Sequence, residues 1–197
     1  MILLASGSEA RARMLRAAGV EVQTRRAAVD EEAVTASLRA EGVGPRDLAD
    51  ALAEMKAMRV GAAAPAGLLT LGADQTLAFK DRVYGKPESL KAARAQLLEL
   101  RGESHTLFSA AVIVENGAPV WRHVGAAQLR MRPFSEKFLD AYLEAEGEAI
   151  LGCAGAYRIE GPGAQLFSRV TGDHFTIQGL PVLEILGYLR ARGILTE

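Results

Sequence analysis

Short apolar runs alternate with helix-patterned stretches along most of this chain, and that alternation most constrains what it can fold into. Strand-like runs are read at Met1–Leu4, near Val20–Thr24, and at Leu68–Gly72, Gln75–Phe79, Thr106–Val114 and Ala127–Met131. Helical patterns run from Glu9 to about Ala18, from Arg46 to about Ala62, from Ser89 to about Leu100, from Ser135 to about Glu146 and from Pro181 to about Arg192. Pro181 suits a first helical turn, where its missing N–H costs nothing. This order predicts an α/β protein, with some hairpin pairing where Lys80-Asp81-Arg82 looks like a turn. Gly and Pro cluster between Gly152 and Gly163, which makes that irregular segment a candidate binding loop. The 197 residues are read as one domain with two lobes around a cleft.

Composition removes several classes of function. Apolar residues make up 49% and charged residues 24%, ordinary values for a chain that buries a core. A formal net charge of -1 favours neither nucleic acid nor an anionic membrane, so any anionic ligand must be met by a local basic cluster. Cys153 is the only cysteine, which excludes an internal disulfide and fits a reducing compartment. No run approaches the ~18 apolar residues of a membrane span, and the first residues lack a charged leader pattern. A soluble cytoplasmic protein is expected.

The first strand hands over to the first helix through Ser6-Gly7-Ser8. Such a turn exposes backbone N–H groups and the positive end of a helix dipole, which suits a phosphate. The simpler reading is a helix cap by Ser6 or Ser8, with Glu9 completing a capping box. Asp74 sits at the end of an apolar run, where a buried strand would emerge and a carboxylate could line a ligand crevice; an ordinary turn aspartate is an equal alternative. Asp30-Glu31-Glu32 reads as a solvated face or a first helical turn. Lys56 lies on a helix with an opposite apolar face, and Lys86 is held in a stiff turn between Gly85 and Pro87. Pro87 and the missing upstream glycine exclude a Walker loop, and Gly161-Pro162-Gly163 is no dinucleotide fingerprint. His105, His123 and His174 have no metal-ligand spacing, and Cys153 reads as a packed thiol ahead of a nucleophile. Acidic and basic residues at element ends are the inventory of a metal-assisted phosphoryl or nucleotidyl reaction.

Eight motifs, in order, resemble the Maf family of nucleotide pyrophosphatases nearly end to end. They are LASGS-x-x-R ending at Arg11, VDEE around Glu31, LAEMKA with Lys56, LGADQTL with Asp74, GKP with Lys86, LRGESHTLFSA around His105, CAGAYRIEGPGAQLFSRVTGD, and GLPVLEIL. The resemblance implies one Maf-like domain over residues 1–197, an elongated mixed-sheet α/β fold with two lobes around a cleft, similar to inosine triphosphate pyrophosphatases. It implies hydrolysis of a nucleoside triphosphate to the monophosphate and pyrophosphate with a divalent cation, magnesium or manganese. Asp74 would activate or orient the water, and Glu31 would assist; both would hold the metal. Lys56, Lys86 and Arg11 would grip the triphosphate, with Ser6 and Ser8 donating to it. A homodimer is usual in the family.

Three positions track specificity in the family. Ser8-Glu9-Ala10-Arg11 matches neither the Ser-Pro-Arg-Arg of dTTP/UTP-type members nor the Ser-Pro-Trp-Arg of the 7-methyl-GTP type. Gln75 and Glu160 match the 7-methyl-GTP type, so the chain stands closer to that branch. A carboxylate accepts hydrogen bonds only, so Glu160 suits the N1–H and amino donors of guanine. Ala10 cannot stack on a base, which points to a guanine-type or relaxed purine preference. The competing reading is a nucleotide-binding regulator of cell division with little or no catalysis. The joint presence of Glu31, Lys56, Asp74 and Lys86 counts against it.

Overall fold

The computed structural model describes residues 1–196. Its elements are β1 (Ile2–Leu4), α1 (Glu9–Ala17), β2 (Val22–Thr24), α2 (Glu31–Ala40), α3 (Pro45–Gly61), β3 (Thr70–Phe79), β4 (Arg82–Tyr84) and α4 (Leu90–Leu100). They continue with β5 (Ser104–Glu115), β6 (Ala118–Met131), α5 (Glu136–Glu146), β7 (Phe167–Thr171), α6 (His174–Ile177) and α7 (Val182–Ala191). The strands form one seven-stranded mixed sheet in the order β2-β1-β3-β5-β6-β7, with β4 paired to β3. β1 is parallel to β2 and β3, whereas β4 runs antiparallel to β3 and β7 antiparallel to β6. No helix among the described residues is long and apolar enough to cross a membrane.

The α/β expectation holds, and the differences have local causes. Leu68–Gly72 and Gln75–Phe79 are parts of one strand, so Asp74 lies inside β3 and not at its end. The Gly72-Ala73-Asp74 interruption resembles a strand break only while its packing partners are unknown. α2 lies outside the expected helices: it buries no residue fully, and Val34 and Leu38, four residues apart and half-buried, make too short a pattern to announce a helix. Its start is nevertheless a true first turn, because the Asp30 carboxylate accepts the Ala33 N–H at 3.0 Å. β6 begins at Ala118, well before the expected Ala127, through residues that are mostly half-buried or exposed. β7 is a largely exposed edge strand with no clean alternation to announce it. Only Lys80 and Asp81 form the turn, since Arg82 already starts β4.

The chain divides into two compact units, one of residues 1–75, 108–125 and 174 onward, the other of residues 76–107 and 126–173. The first unit is layered. On one face of its sheet, Ala12 and Leu15 of α1 and Val182, Ile185 and Leu189 of α7 pack on Ile2, Leu4, Leu71, Ala73, Ala111 and Ile113. The other face receives Ala49, Ala53 and Ala57 of α3, four residues apart and therefore on one stripe, against Ala110, Val112 and Val114. Small side chains bring this helix very close. A Cβ at Gly72 would lie 2.1 Å from the Ala53 carbonyl oxygen and 2.6 Å from the Ala57 nitrogen, so only glycine fits.

In the second unit, Arg94 of α4 pairs with Glu136 at 2.7 Å and Asp140 at 2.9 Å on α5. The irregular stretch after α5 is tied down by four contacts. Gln96 donates to the Ala154 carbonyl, Tyr142 to the Ala156 carbonyl at 3.2 Å, Arg158 pairs with buried Glu146 at 2.6 Å, and His105 meets the Tyr157 hydroxyl at 2.7 Å. Burial of His105 among Tyr157 and Phe167 pulls its pKa from 6.5 to about 4.

That shift makes stability depend on pH. Between pH 6.5 and 4 the unfolded chain takes up a proton at His105 that the folded chain refuses, so stability falls as pH falls across that window. The full effect is about 3 kcal/mol, and it is complete below the folded value. Urea titrations from pH 7 to 4 on wild type and His105→Phe should show a steeper loss in the wild type; parallel slopes would contradict the assignment.

Candidate active site

Lys56 occupies the middle of α3, and its side chain is only 8% exposed. Its Nζ lies 2.6 Å from Asp74 Oδ1 and 2.9 Å from Glu31 Oε2. Gly72 and Asp74 share a face of β3 because side chains alternate along a strand. The close approach at Gly72 therefore sets the helix near enough for Lys56 to reach Asp74. Asp74 is buried, whereas the Glu31 side chain, at the first position of α2, remains 47% exposed. A buried lysine flanked by two carboxylates is an ion triad with one half-open member. Loss of the central cation would strand Asp74 in the interior.

The Ser6–Arg11 turn lies in the same unit. Ser8 is the N-cap of α1, its Oγ accepting the Arg11 N–H at 3.4 Å. Glu9 is consequently the first helical residue and completes no capping box; it pairs with Arg16 at 3.1 Å instead. Ser6 Oγ accepts from the Ser8 N–H at 3.2 Å and from Arg11 Nη1 at 3.3 Å. Arg11 also donates to the Ala73 carbonyl from Nη1 at 2.9 Å and to the Gly179 carbonyl from Nε at 2.8 Å. Burial lowers the Arg11 pKa, and the nearby Asp74 and Glu31 charges oppose that fall. Ser6, Arg11, Glu31, Lys56 and Asp74 are thus gathered around one stretch of β3, with Ser8 beside them.

Gln75 Nε2 lies 3.0 Å from Ser109 Oγ and 3.1 and 3.0 Å from the Thr176 and Ile177 carbonyls. Ala10 is half-buried in the first turn of α1. Lys86 and Glu160 belong to the second unit, and both are exposed. Cys153 is also there, where burial and the Glu160 charge raise its pKa, opposed by Arg158 and Lys86; this thiol is held away from the nucleophilic thiolate form. Sequence reasoning overlooked Ser109, Gly179 and Arg26, whose aliphatic stem runs 3.6 Å from where a Gly7 Cβ would stand. Only Arg26 had a usable signal, as part of the basic pair after β2.

Among the described residues no group of three or more His, Cys, Asp or Glu could hold a metal. Two carboxylates nonetheless fit magnesium, which keeps water and substrate phosphate as its other ligands. Glu31 and Asp74 are hard oxygen donors of that kind, meeting at the Lys56 ammonium.

A mixed sheet that brings a lysine between two acids, next to a serine-capped helix start and a half-buried arginine, defines an α/β protein with a charged cluster gathered on one of its strands. The chain belongs to the Maf-like protein family, whose model matches residues 1–192. It is 51% identical over 195 residues to a nucleoside triphosphate pyrophosphatase of Caulobacter vibrioides, covering 99% of this chain and 97% of that protein. Proteins of the same name from Paramagnetospirillum magneticum and Hyphomonas neptunium are 52% and 48% identical, covering 97% and 98% of this chain and 98% and 97% of their own lengths.

Replacing Lys56 by alanine should destabilise the fold by about 3–5 kcal/mol at pH 7, because it leaves the buried Asp74 carboxylate without its partner. Removing Asp74 as well should recover part of that loss. Urea denaturation of the two variants beside wild type checks this; an equal or larger loss in the double variant would refute it.

Proposed function

We propose that this chain is a nucleoside triphosphate pyrophosphatase that hydrolyses its substrate to the monophosphate and pyrophosphate. The observation that carries the reading is the Asp74–Lys56–Glu31 triad, in a chain about half identical over its full length to proteins of that name. In the reaction a water oxygen bonds to the α-phosphorus while the bond to the β-bridging oxygen breaks, and pyrophosphate departs with that oxygen. Asp74 orients the water and accepts its proton. Lys56 fixes the Asp74 carboxylate in place and supplies positive charge to the phosphate oxygens. Ser6, Ser8 and Arg11 bind the phosphate chain, and Lys86 adds a further cation. Preorganised charge of this kind is the principal means of stabilising a phosphoryl-type transition state. Glu31 and Asp74 would hold magnesium or manganese, which when bound lowers the pKa of a ligated water and neutralises phosphate charge.

The base preference falls to Glu160, whose carboxylate accepts from the N1–H and amino group of guanine and faces a carbonyl in uracil or thymine. One such mismatch is worth ~1–3 kcal/mol. Glu160 and Gln75 place the chain nearer the 7-methyl-GTP-type branch, while Ala10 offers no ring for a methylated base. We read the mixed-sheet α/β fold as akin to that of inosine triphosphate pyrophosphatases. We read the protein as a cytoplasmic homodimer that takes a small nucleotide and neither nucleic acid nor membrane. The near-neutral net charge and lone cysteine support the last part.

Pyrophosphate release from dTTP, UTP, CTP, GTP, ITP and 7-methyl-GTP, with magnesium or manganese, tests the proposal on wild type and Asp74→Asn. The wild type should turn over, a guanine nucleotide should be best, and Asp74→Asn should lose roughly 10²-fold or more. The asparagine oxygen still accepts from Lys56 and Glu31 still offsets its charge, so the variant should fold, with a lower thermal stability from the lost carboxylate. Preference for dTTP or UTP would remove the Glu160 inference and leave the reaction. Silence with both metals would favour a nucleotide-binding regulator.

A further inference from the structure

Asp74 and Gln75 point to opposite faces of β3, and the Gln75 face holds a second set of polar contacts that the reaction does not use. Ser109 of β5 is fully buried there. Its hydroxyl donates to the Thr176 carbonyl at 2.7 Å and accepts from Gln75 Nε2 at 3.0 Å. Gln75 Nε2 also faces the Thr176 and Ile177 carbonyls. Two carbonyls can only accept, so the amide nitrogen must be the atom turned towards them and the amide orientation is fixed. On the other side of Asp74, the Ala73 carbonyl is held by Arg11, whose Nε reaches the Gly179 carbonyl just beyond α6. Gly179 has φ +100, and a Cβ there would stand 3.4 Å from the Arg11 guanidinium and 3.8 Å from Gln75 Cδ. Those are ordinary contact distances, so it is the positive φ that favours glycine in this turn.

We propose that Gln75 and Ser109 are positioning residues, which brace the Asp74 segment of β3 against the carbonyls of the α6 turn. The residues on either side of Asp74 are tied to a single short segment, residues 176–179. Asp74 is gripped by Lys56 from the α3 side while its strand is pinned from the α6 side. The donors of Gln75 are committed to this brace, so what they do for the substrate passes through Asp74. The consequence for turnover rests on the pyrophosphatase reading; the brace itself does not.

Gln75→Glu is the informative change, because it keeps the shape and sets a carboxylate oxygen against two carbonyls. Gln75→Met removes the donors without adding charge, and Ser109→Ala deletes one hydroxyl. Each is measured by steady-state pyrophosphate release with magnesium across the nucleotide panel, and by amide exchange without nucleotide. Gln75→Glu should lower kcat about tenfold or more on every nucleotide, since small misplacements of reacting groups are costly. The loss should fall on kcat more than on KM, as a misplaced reacting group gives and a lost binding contact does not. Exchange at the Gly179 and Leu180 amides, which bond to the Thr176 and Phe175 carbonyls, should accelerate by about tenfold. A loss that falls on KM while exchange stays unchanged would overturn the proposal. Unchanged kcat and exchange in the variants would overturn it as well. If Gln75→Glu fails to fold, Gln75→Met and Ser109→Ala decide by the same two readouts. A wild type silent on every nucleotide would sink the pyrophosphatase reading, and amide exchange alone would then judge the brace.

Discussion

The ammonium of Lys56 is the charge on which the site depends. It lies almost out of water, and only the two carboxylates beside it make that position tolerable. Keeping it there requires a helix that approaches the sheet far more closely than ordinary side chains allow. Three alanines on α3 and the bare backbone of Gly72 supply that approach. The triad is therefore a product of packing before it is a product of charge. The same low-dielectric setting that makes an unpaired ion costly also makes fixed charges effective on a substrate.

Asp74 gains its precision from two independent supports. The Lys56 pair acts on its side chain, whereas Arg11 acts on the backbone of the residue before it. Both are needed to fix the carboxylate, because a side chain held on a mobile strand is not fixed. Glu31 differs. Half-exposed at the start of a helix that fully buries none of its side chains, it is the member of the triad open to solvent. A buried acid next to an open one suits a metal that keeps most of its own water.

Much of this was legible before any coordinates. Apolar runs located β1, the core of β5 and the end of β6, and caps or prolines located α1, α4, α5 and α7. The motif order named the family and the triad residues. What escaped detection had no local signal. α2 shows only the short half-buried pattern of Val34 and Leu38, and β7 is an edge strand with nearly all its residues in solvent. β3 looked broken because glycine and aspartate are poor strand residues in isolation, and their reasons for being there lie on α3, some fifteen to twenty residues away in the chain. The supposed capping box failed for a smaller reason: whether Ser6 or Ser8 caps depends on where the strand ends.

The sequence by itself determined the α/β class, the absence of an internal disulfide, the motif set and the acids and cations available to a phosphate. These follow from composition, hydrophobic period and residue type, which are local properties. Only the tertiary structure decided that Lys56 faces Asp74 and Glu31 together, that Arg11 reaches the carbonyls of Ala73 and Gly179 through Nη1 and Nε, and that Ser109 stands behind Gln75. Each is a contact between residues distant along the chain. Such contacts are set by helix–sheet distance and strand order, which no local pattern encodes.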